Sequence, residues 1–357
     1  MNRTVARVVA EPGAAPSDLE VEVPDPTGHQ VLVRIHAVGV CHTDLTLAAN
    51  WPEQGMPVIL GHEGAGVVEA VGPDVTTVRA GDRVSLTFDS CGACEFCAAG
   101  TPGYCEQSIV LNYLGLPGIR SGGTAVTGGF FGQSSFAGLA LATDRNTVPI
   151  GDLPLELAAP LGCSIQTGVG TVTRALKVQP GESVVVFGTG AVGLAAVMGA
   201  KLAGAGTIVA VDPRADRRAL ALELGATHAV EAGPQAAQQV IDATGGGAHA
   251  AVDTTARPDA LTQAVLALRP RGTVAVVGLG EASAELPVLL IMSRGLRVIG
   301  VIEGDSEPSE FLPELAAAVA EGRLPVDRLV TAFTDFDEAW AAAREGTAVK
   351  PVWLPAG

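Results

Sequence analysis

Four cysteines stand in one short stretch, Cys91, Cys94, Cys97 and Cys105, with two, two and seven residues between them. Thiolates this close can complete a tetrahedral S4 shell around zinc. An iron–sulfur cluster is the rival, but a ferredoxin-type run takes three residues and then Cys-Pro after its third cysteine, where seven intervene here. Disulfides fit a chain read as intracellular less well. Four protein ligands leave no open position, so zinc held there is expected to be structural. Cys41 and Cys163 remain. With His62, in Gly61-His62-Glu63-Gly64-Ala65-Gly66, they offer two sulfurs and an imidazole, a three-ligand zinc set whose fourth position is open for chemistry. Taken singly, each has a bland reading: a lone cysteine is a small buried hydrophobe, and a lone histidine belongs to a core.

A third pattern could bind phosphate. The β-branched run Val184-Val185-Val186-Phe187 ends on Gly188-Thr189-Gly190-Ala191-Val192-Gly193, and good helix formers follow. Strand, tight turn and helix put glycine backbone and a helix N-terminus against a pyrophosphate. A second strand, Thr207–Val211, ends on Asp212, 19 residues after Gly193. An acidic residue about 20 residues on accepts hydrogen bonds from the ribose hydroxyls of NAD and repels a 2′-phosphate. In a chain with 45 glycines the Gly-x-Gly-x-x-Gly string is weak evidence by itself; the acidic residue and the strand–helix context strengthen it.

These groups need two kinds of scaffold. Up to about residue 150 short alternating strands are punctuated by Gly and Pro, as at Leu19–Val23, Val31–Val38, Gly66–Gly72 and Arg83–Phe88. A helical segment is expected over Leu155–Leu176. Strands at 183–187, 207–211, 227–230, 249–253, 273–277 and 297–301 then alternate with helices, the mark of a doubly wound parallel sheet. Helices at Pro308–Glu321 and Asp335–Arg344 and a last strand, Lys350–Trp353, form a tail expected to return to the β domain. The fold class is therefore α/β plus β.

The 357 residues suit about two domains, and 48% apolar content suits a packed core. A net charge of −16 disfavours nucleic acid and anionic membrane as partners. The N-terminal residues carry no sustained apolar stretch, and no run of about 18 uncharged apolar residues occurs, so a soluble, cytoplasmic protein is expected.

The whole chain resembles the zinc-dependent medium-chain alcohol dehydrogenases. The resemblance rests on Cys41-His42-Thr43-Asp44, Gly61-His62-Glu63-x-x-Gly66, the four-cysteine lobe and Gly188-Thr189-Gly190-Ala191-Val192-Gly193, in the family's order and spacing. The strings Gly162–Gly168, Phe130–Phe136 and Ile302–Ser306 are similar to those of bacterial aryl (benzyl) alcohol dehydrogenases. The resemblance implies a GroES-like catalytic domain (1–163, completed by 303–357) and a Rossmann NAD-binding domain (164–302). It implies a catalytic zinc on Cys41, His62 and Cys163, with Glu63 beside it, and a second zinc on the lobe. Asp44 would accept from the other His62 ring nitrogen, and Thr43 would bond the alcohol oxygen and take its proton.

Thr167, Val192 and Val277 would line the nicotinamide side. Asp212 and Arg217 would flank the adenosine ribose, with Arg214 facing solvent, and His42 and Lys350 would approach the pyrophosphate. Trp51, Phe88 and Val110 are substrate-pocket candidates; the bland reading of each is core packing. Two positions depart from relatives: Thr46 stands where a histidine often ends the proton relay, and Ile109 stands where glutathione-dependent members carry arginine. The expected function is NAD-dependent oxidation of a primary aromatic or allylic alcohol to its aldehyde, by a homodimer or homotetramer. The alternatives are an aliphatic-alcohol or polyol enzyme of the same fold and an inactive nucleotide-binding homologue.

Overall fold

The structure, a computed structural model, describes residues 1–115 and 118–355. Among these, strands form three sheets, and the chain divides into two units: Met1–Cys163 with Glu307–Gly357, and Ser164–Ser306.

The first unit is built on the long strand Gln30–Gly39. The strand is buried on both faces at Val31–Val33 and again at Ala37–Gly39, with Gln30, Arg34 and His36 partly exposed, as suits a strand in the middle of a sheet. It pairs antiparallel with Gly64–Val71, Leu139–Thr143 and the C-terminal Lys350–Trp353, the last through Val352↔Gly39 and Trp353↔Val38. The tail is therefore a sheet member of this unit. Its rings also lock it in place: Phe336, Trp340 and Trp353 gather around one another and Phe136, with centroids 5.0–6.2 Å apart. Aromatic pairs of this kind add about 0.5–1.5 kcal/mol each beyond their buried area. A smaller sheet joins Asn2–Val9 to Ser17–Val23 and Val58–Ile59.

The second unit holds six parallel strands, Ser183–Phe187, Thr207–Asp212, His228–Glu231, Ala248–Asp253, Leu268–Val276 and Arg297–Gly300. Numbered in sequence order they stand 3-2-1-4-5-6 across the sheet, the doubly wound arrangement. The first strand is buried throughout, which suits an apolar strand covered on both faces. No helix among the described residues is long and apolar enough to cross a membrane.

Two expectations change. Residues 303–306, grouped with the tail by resemblance, pack within the second unit, where Glu303 and Ser306 bond to Gln166. The continuous helix expected over 155–176 is broken at Cys163, whose φ of −145° and ψ of −81° are not helical. That break ends one helical stretch at Gly162 and starts the next at Ser164.

Candidate functional site

In the first unit, one ligand atom each from Cys41, His62, Glu63 and Cys163 lies within 4.8 Å of every other. The helix His42–Asn50 begins next to Cys41, and Asp44 closes its first turn by accepting from Cys41 N at 2.9 Å. The same carboxylate accepts from Gly61 N at 3.1 Å and pairs with His62 Nδ1 at 2.9 Å. Asp44 thus caps the helix and fixes the imidazole tautomer at once, and both side chains are fully buried. The other ring nitrogen, Nε2, is buried and makes no hydrogen bond. Burial acts to lower the His62 pKa, but Asp44 and the Cys41 sulfur outweigh it and hold the pKa well above the imidazole range. A hydrogen bond from Cys163 holds the Cys41 thiol well below the usual thiol range, against burial, with Lys350 and His62 assisting. An orphaned imidazole nitrogen beside two sulfurs, one primed as thiolate, is a donor set that fits zinc.

The backbone around His62 is clamped. Gln133 Nε2 donates to His62 O and Thr87 O, both at 3.0 Å, while its Oε1 accepts from Gly64 N. Phe131 and Ser134 flank Gln133 with φ of 51° and 53°. Left-handed backbone at such residues costs about 1–3 kcal/mol each and persists only where the surroundings over-determine it. Here the strain presents rings to the imidazole: Phe131 lies 4.7 Å from His62 and Phe130 lies 5.4 Å from it, centroid to centroid. Trp51 meets Phe130 edge-on at 5.8 Å, and Tyr113 meets Phe130 and Phe131 at 6.1 and 5.7 Å.

The lobe cysteines also converge. Sulfur separations are 3.9 Å for Cys91–Cys97, 3.5 Å for Cys94–Cys97 and 4.0 Å for Cys94–Cys105. A disulfide needs about 2.05 Å, whereas a tetrahedron with Zn–S of about 2.3 Å sets sulfurs about 3.8 Å apart. Backbone amides aim at these sulfurs: Cys94 N at Cys91 Sγ (3.3 Å), Cys91 N and Gln107 N at Cys105 Sγ (3.2 and 3.4 Å). The N–H groups of Cys97 and Glu106 bring the Cys94 pKa down to about 6. Burial pushes Cys105 up to about 12. The donor set and its spacing fit one closed zinc site.

In the second unit, Gly188 takes φ +85°, and a Cβ on Gly193 would overlap Gly188 O, so turn and helix can meet only as glycines. Nothing lies within 4 Å of a Cβ built on Gly190, which leaves room at the N-terminus of the twelve-residue helix Ala191–Leu202. That room, with free amides at a helix N-terminus, fits a dinucleotide's phosphates. Asp212 ends the second strand, and its carboxylate already holds the turn: Oδ2 accepts from Thr189 N and Oγ1, both at 2.8 Å, and Oδ1 accepts from Arg214 N at 2.9 Å.

The comparisons with known proteins agree with this geometry. A family model described as "Alcohol dehydrogenase GroES-like domain" matches residues 27–152, and one described as "Zinc-binding dehydrogenase" matches residues 191–320. Geraniol dehydrogenase of Castellaniella defragrans is 43% identical over 97% of this chain and 96% of its own. The chain belongs to the zinc-dependent medium-chain alcohol dehydrogenases. Two crystal structures cover it fully and are fully covered by it. An alcohol dehydrogenase zinc-binding domain protein from Burkholderia ambifaria has a TM-score of 0.97 at 42% identity. The benzyl alcohol dehydrogenase of Acinetobacter calcoaceticus has 0.94 at 39%. The protein is thus an enzyme, an alcohol dehydrogenase, with the GroES-like and Rossmann-type units of its family.

The remaining residues fall as follows in this alcohol dehydrogenase. Thr43 Oγ1 lies 3.9 Å from Cys41 Sγ, and His42 is exposed on the helix surface. Thr46 Oγ1 donates back to His42 O at 2.9 Å. Trp51 and Phe88 are buried; Val110 is 56% exposed and Ile109 68%, so the Ser108–Tyr113 helix turns Asn112, not Val110, inward. Val192 and Val277 are partly buried. Arg217 is buried near Asp212, which opposes the desolvation that lowers its pKa, while Arg214 is half-exposed and pairs with Asp216 at 2.7 Å.

Lys350 has a partner that the sequence did not suggest: its ammonium is buried and bonded to Glu63 Oε1 at 2.9 Å. Burial acts to lower its pKa, but Glu63 and the Cys41 sulfur raise it, and burial in turn raises Glu63 against the pull of Lys350. A fully buried carboxylate needs such a countercharge. Gly39 makes the room, since a Cβ there would overlap Glu63 Oε2. Gln133, Phe130 and Phe131 were legible only as part of a string, and so were Gln166 and Glu303; the hydrogen bonds from Gln166 and Thr167 to Glu303 (2.9 and 3.1 Å) join two of those strings.

Proposed function

We propose that the enzyme oxidises primary aromatic or allylic alcohols to aldehydes with NAD, using one catalytic and one structural zinc per chain. The observation that carries this reading is the buried, unbonded His62 Nε2 beside the Cys41 and Cys163 sulfurs. These three would hold the catalytic metal, with Glu63 alongside; Cys91, Cys94, Cys97 and Cys105 would hold the structural one. Zinc bound by two thiolates and an imidazole would lower the pKa of an alcohol hydroxyl, as it does for water. Thr43 Oγ1, 3.9 Å from the Cys41 sulfur, is a hydroxyl that can take the proton and pass its own on. Because Thr46 spends its own hydroxyl on His42 O, the proton then leaves through water rather than a side-chain base.

The rings of Phe130, Phe131, Tyr113 and Trp51 favour a flat, unsaturated substrate and exclude water from the imidazole. The names of the geraniol and benzyl alcohol dehydrogenases point the same way. Steady-state rates with NAD test the choice: kcat/KM for benzyl alcohol and geraniol should exceed that for ethanol on the order of a hundredfold, the discrimination an apolar pocket reaches. Equal efficiency with ethanol would favour the aliphatic alternative. We also read the protein as a homo-oligomer. The strand Arg297–Gly300 is a sheet edge, and beside it the helix Val288–Arg294 exposes Val288, Leu289 and Met292 at 69–74%.

Two substitutions follow. Asp44→Asn would set an amide N–H2 either at the Oδ2 place, against Cys41 N, or at the Oδ1 place, against both Gly61 N and His62 Nδ1, and in either orientation it removes the negative charge that holds the ring. Zinc affinity or activity should fall about 10–100-fold, the usual loss when a ligand's carboxylate partner is removed. Wild-type activity with full metal content would leave Asp44 as a helix cap alone.

Asp212→Ser should depress NAD use and raise NADP use together. The serine removes the acceptor for the ribose hydroxyls and the anion that repels a 2′-phosphate, leaving Arg214 and Arg217 to receive it. It also unties Thr189, so NAD loses affinity by two routes. The NAD/NADP ratio of kcat/KM should start at about tenfold or more in the wild type, from charge-assisted bonds of about 1.5–3 kcal/mol, and fall in the variant. A wild-type preference for NADP would overturn the reading of Asp212.

A further inference from the structure

Glu303 lies three residues beyond the sixth strand of the nucleotide unit and is 8% exposed. Its Oε2 accepts from Gln166 Nε2 at 2.9 Å and Thr167 Oγ1 at 3.1 Å, an amide and a hydroxyl, both uncharged. The backbone that carries it is strained: Glu303, Gly304 and Asp305 have φ of 51°, 71° and 51° in succession. The bend is held from both sides. Ser306 Oγ donates to Glu303 O at 2.8 Å, and a Cβ on Gly170 would come within 2.6 Å of Gly304 O. Backbone strain combined with a buried acid held by fixed donors marks a position kept for function.

Its place in the sheet says which function. Ligands of a doubly wound sheet lie beyond the carboxyl ends of the strands, with the two halves of a dinucleotide on the two halves of the sheet. Asp212 ends the second strand and so marks the adenosine half. Glu303 follows the last strand of the opposite half, where the nicotinamide belongs. The oxidised nicotinamide ring carries a positive charge and the reduced ring none.

We propose that Glu303 is a positioning residue that discriminates the oxidation state of the nicotinamide, its buried carboxylate favouring NAD+ over NADH and orienting Thr167 toward the ring. This rests on the NAD reading above. The consequence is tighter retention of NAD+ than of NADH, which favours uptake of the oxidised cofactor and release of the reduced one, at the expense of the hydride-transfer equilibrium on the protein.

Binding alone tests it, without turnover. Dissociation constants of NAD+ are measured by calorimetry and those of NADH by fluorescence, for wild type, Glu303→Gln and Glu303→Asp, with ADP-ribose as a ligand lacking the nicotinamide. Loss of the buried charge should weaken NAD+ about tenfold in Glu303→Gln while NADH changes less than about twofold. Glu303→Asp should keep the ratio near that of wild type, and ADP-ribose should bind all three proteins alike. Glu303→Ser is the second neutral variant should the glutamine protein fail to fold. Equal weakening of NAD+ and NADH, or no change in either, would overturn the proposal while leaving NAD as the cofactor. A wild-type protein that binds ADP-ribose, NAD+ and NADH not at all would sink the NAD reading, and this proposal with it.

Discussion

Cys163→Ala is expected to remove one of two zinc ions and nearly all turnover from a protein that stays folded. Cys163 stands at the break between two helical stretches, and its sulfur hydrogen-bonds to Cys41. Alanine tolerates the same backbone and removes only the sulfur. Without it the catalytic set is reduced to Cys41 and His62, with Glu63 as a poor substitute for a thiolate. The Lewis acid contributes several kcal/mol to the reaction, so turnover should fall about a thousandfold or more. The lobe is built from four other sulfurs and should keep its metal. Elemental mass spectrometry should therefore find two zinc ions in the wild type and one in the variant, with circular dichroism spectra that superimpose. Retention of both metals, or of turnover, would refute the assignment of Cys163. A wild type with a single zinc that survives the substitution would restrict metal to the lobe.

What could be read from the sequence depended on how local the cause was. The lobe ligands lie within fifteen consecutive residues, so ligand type and spacing were enough to suggest a site whose sulfurs then proved 3.5–4.0 Å apart. The six parallel strands were legible because each is a short apolar run between helices, a pattern that few arrangements of buried backbone satisfy. The break at Cys163 had only weak local signals, Pro160 and Gly162 just before it, and the close approach of Gly162 to Leu86 O that goes with it is a tertiary contact. Glu303 was hidden for a related reason: glycine announces left-handed backbone at 304, but nothing announces it at Glu303 and Asp305. Lys350 shows the limit most clearly. Whether a basic side chain serves a phosphate or a buried carboxylate depends on what it meets across the fold, here Glu63, 287 residues away.

That ion pair leads to the second large effect. Lys350→Met should destabilise the catalytic unit, because it leaves Glu63 at 0% exposure without its recorded ammonium partner. Breaking a buried pair by removing one member costs about 3–5 kcal/mol, more than the pair contributes relative to an apolar replacement. For a unit of this size each kcal/mol moves the midpoint about 2–4 °C, so melting should fall by roughly 10 °C. Replacing both partners, as Glu63→Gln with Lys350→Met, should recover most of that loss, since neither charge of the pair remains. Lys350→Arg keeps the charge and should melt close to wild type. The phosphate role implied by family resemblance makes the opposite forecast: Lys350→Met would melt like wild type, and its KM for NAD would rise. Differential scanning calorimetry of the zinc-replete protein, beside KM for NAD, separates the two. A variant that melts within a degree of wild type would show that Glu63 does not depend on the ammonium and would return Lys350 to the nucleotide.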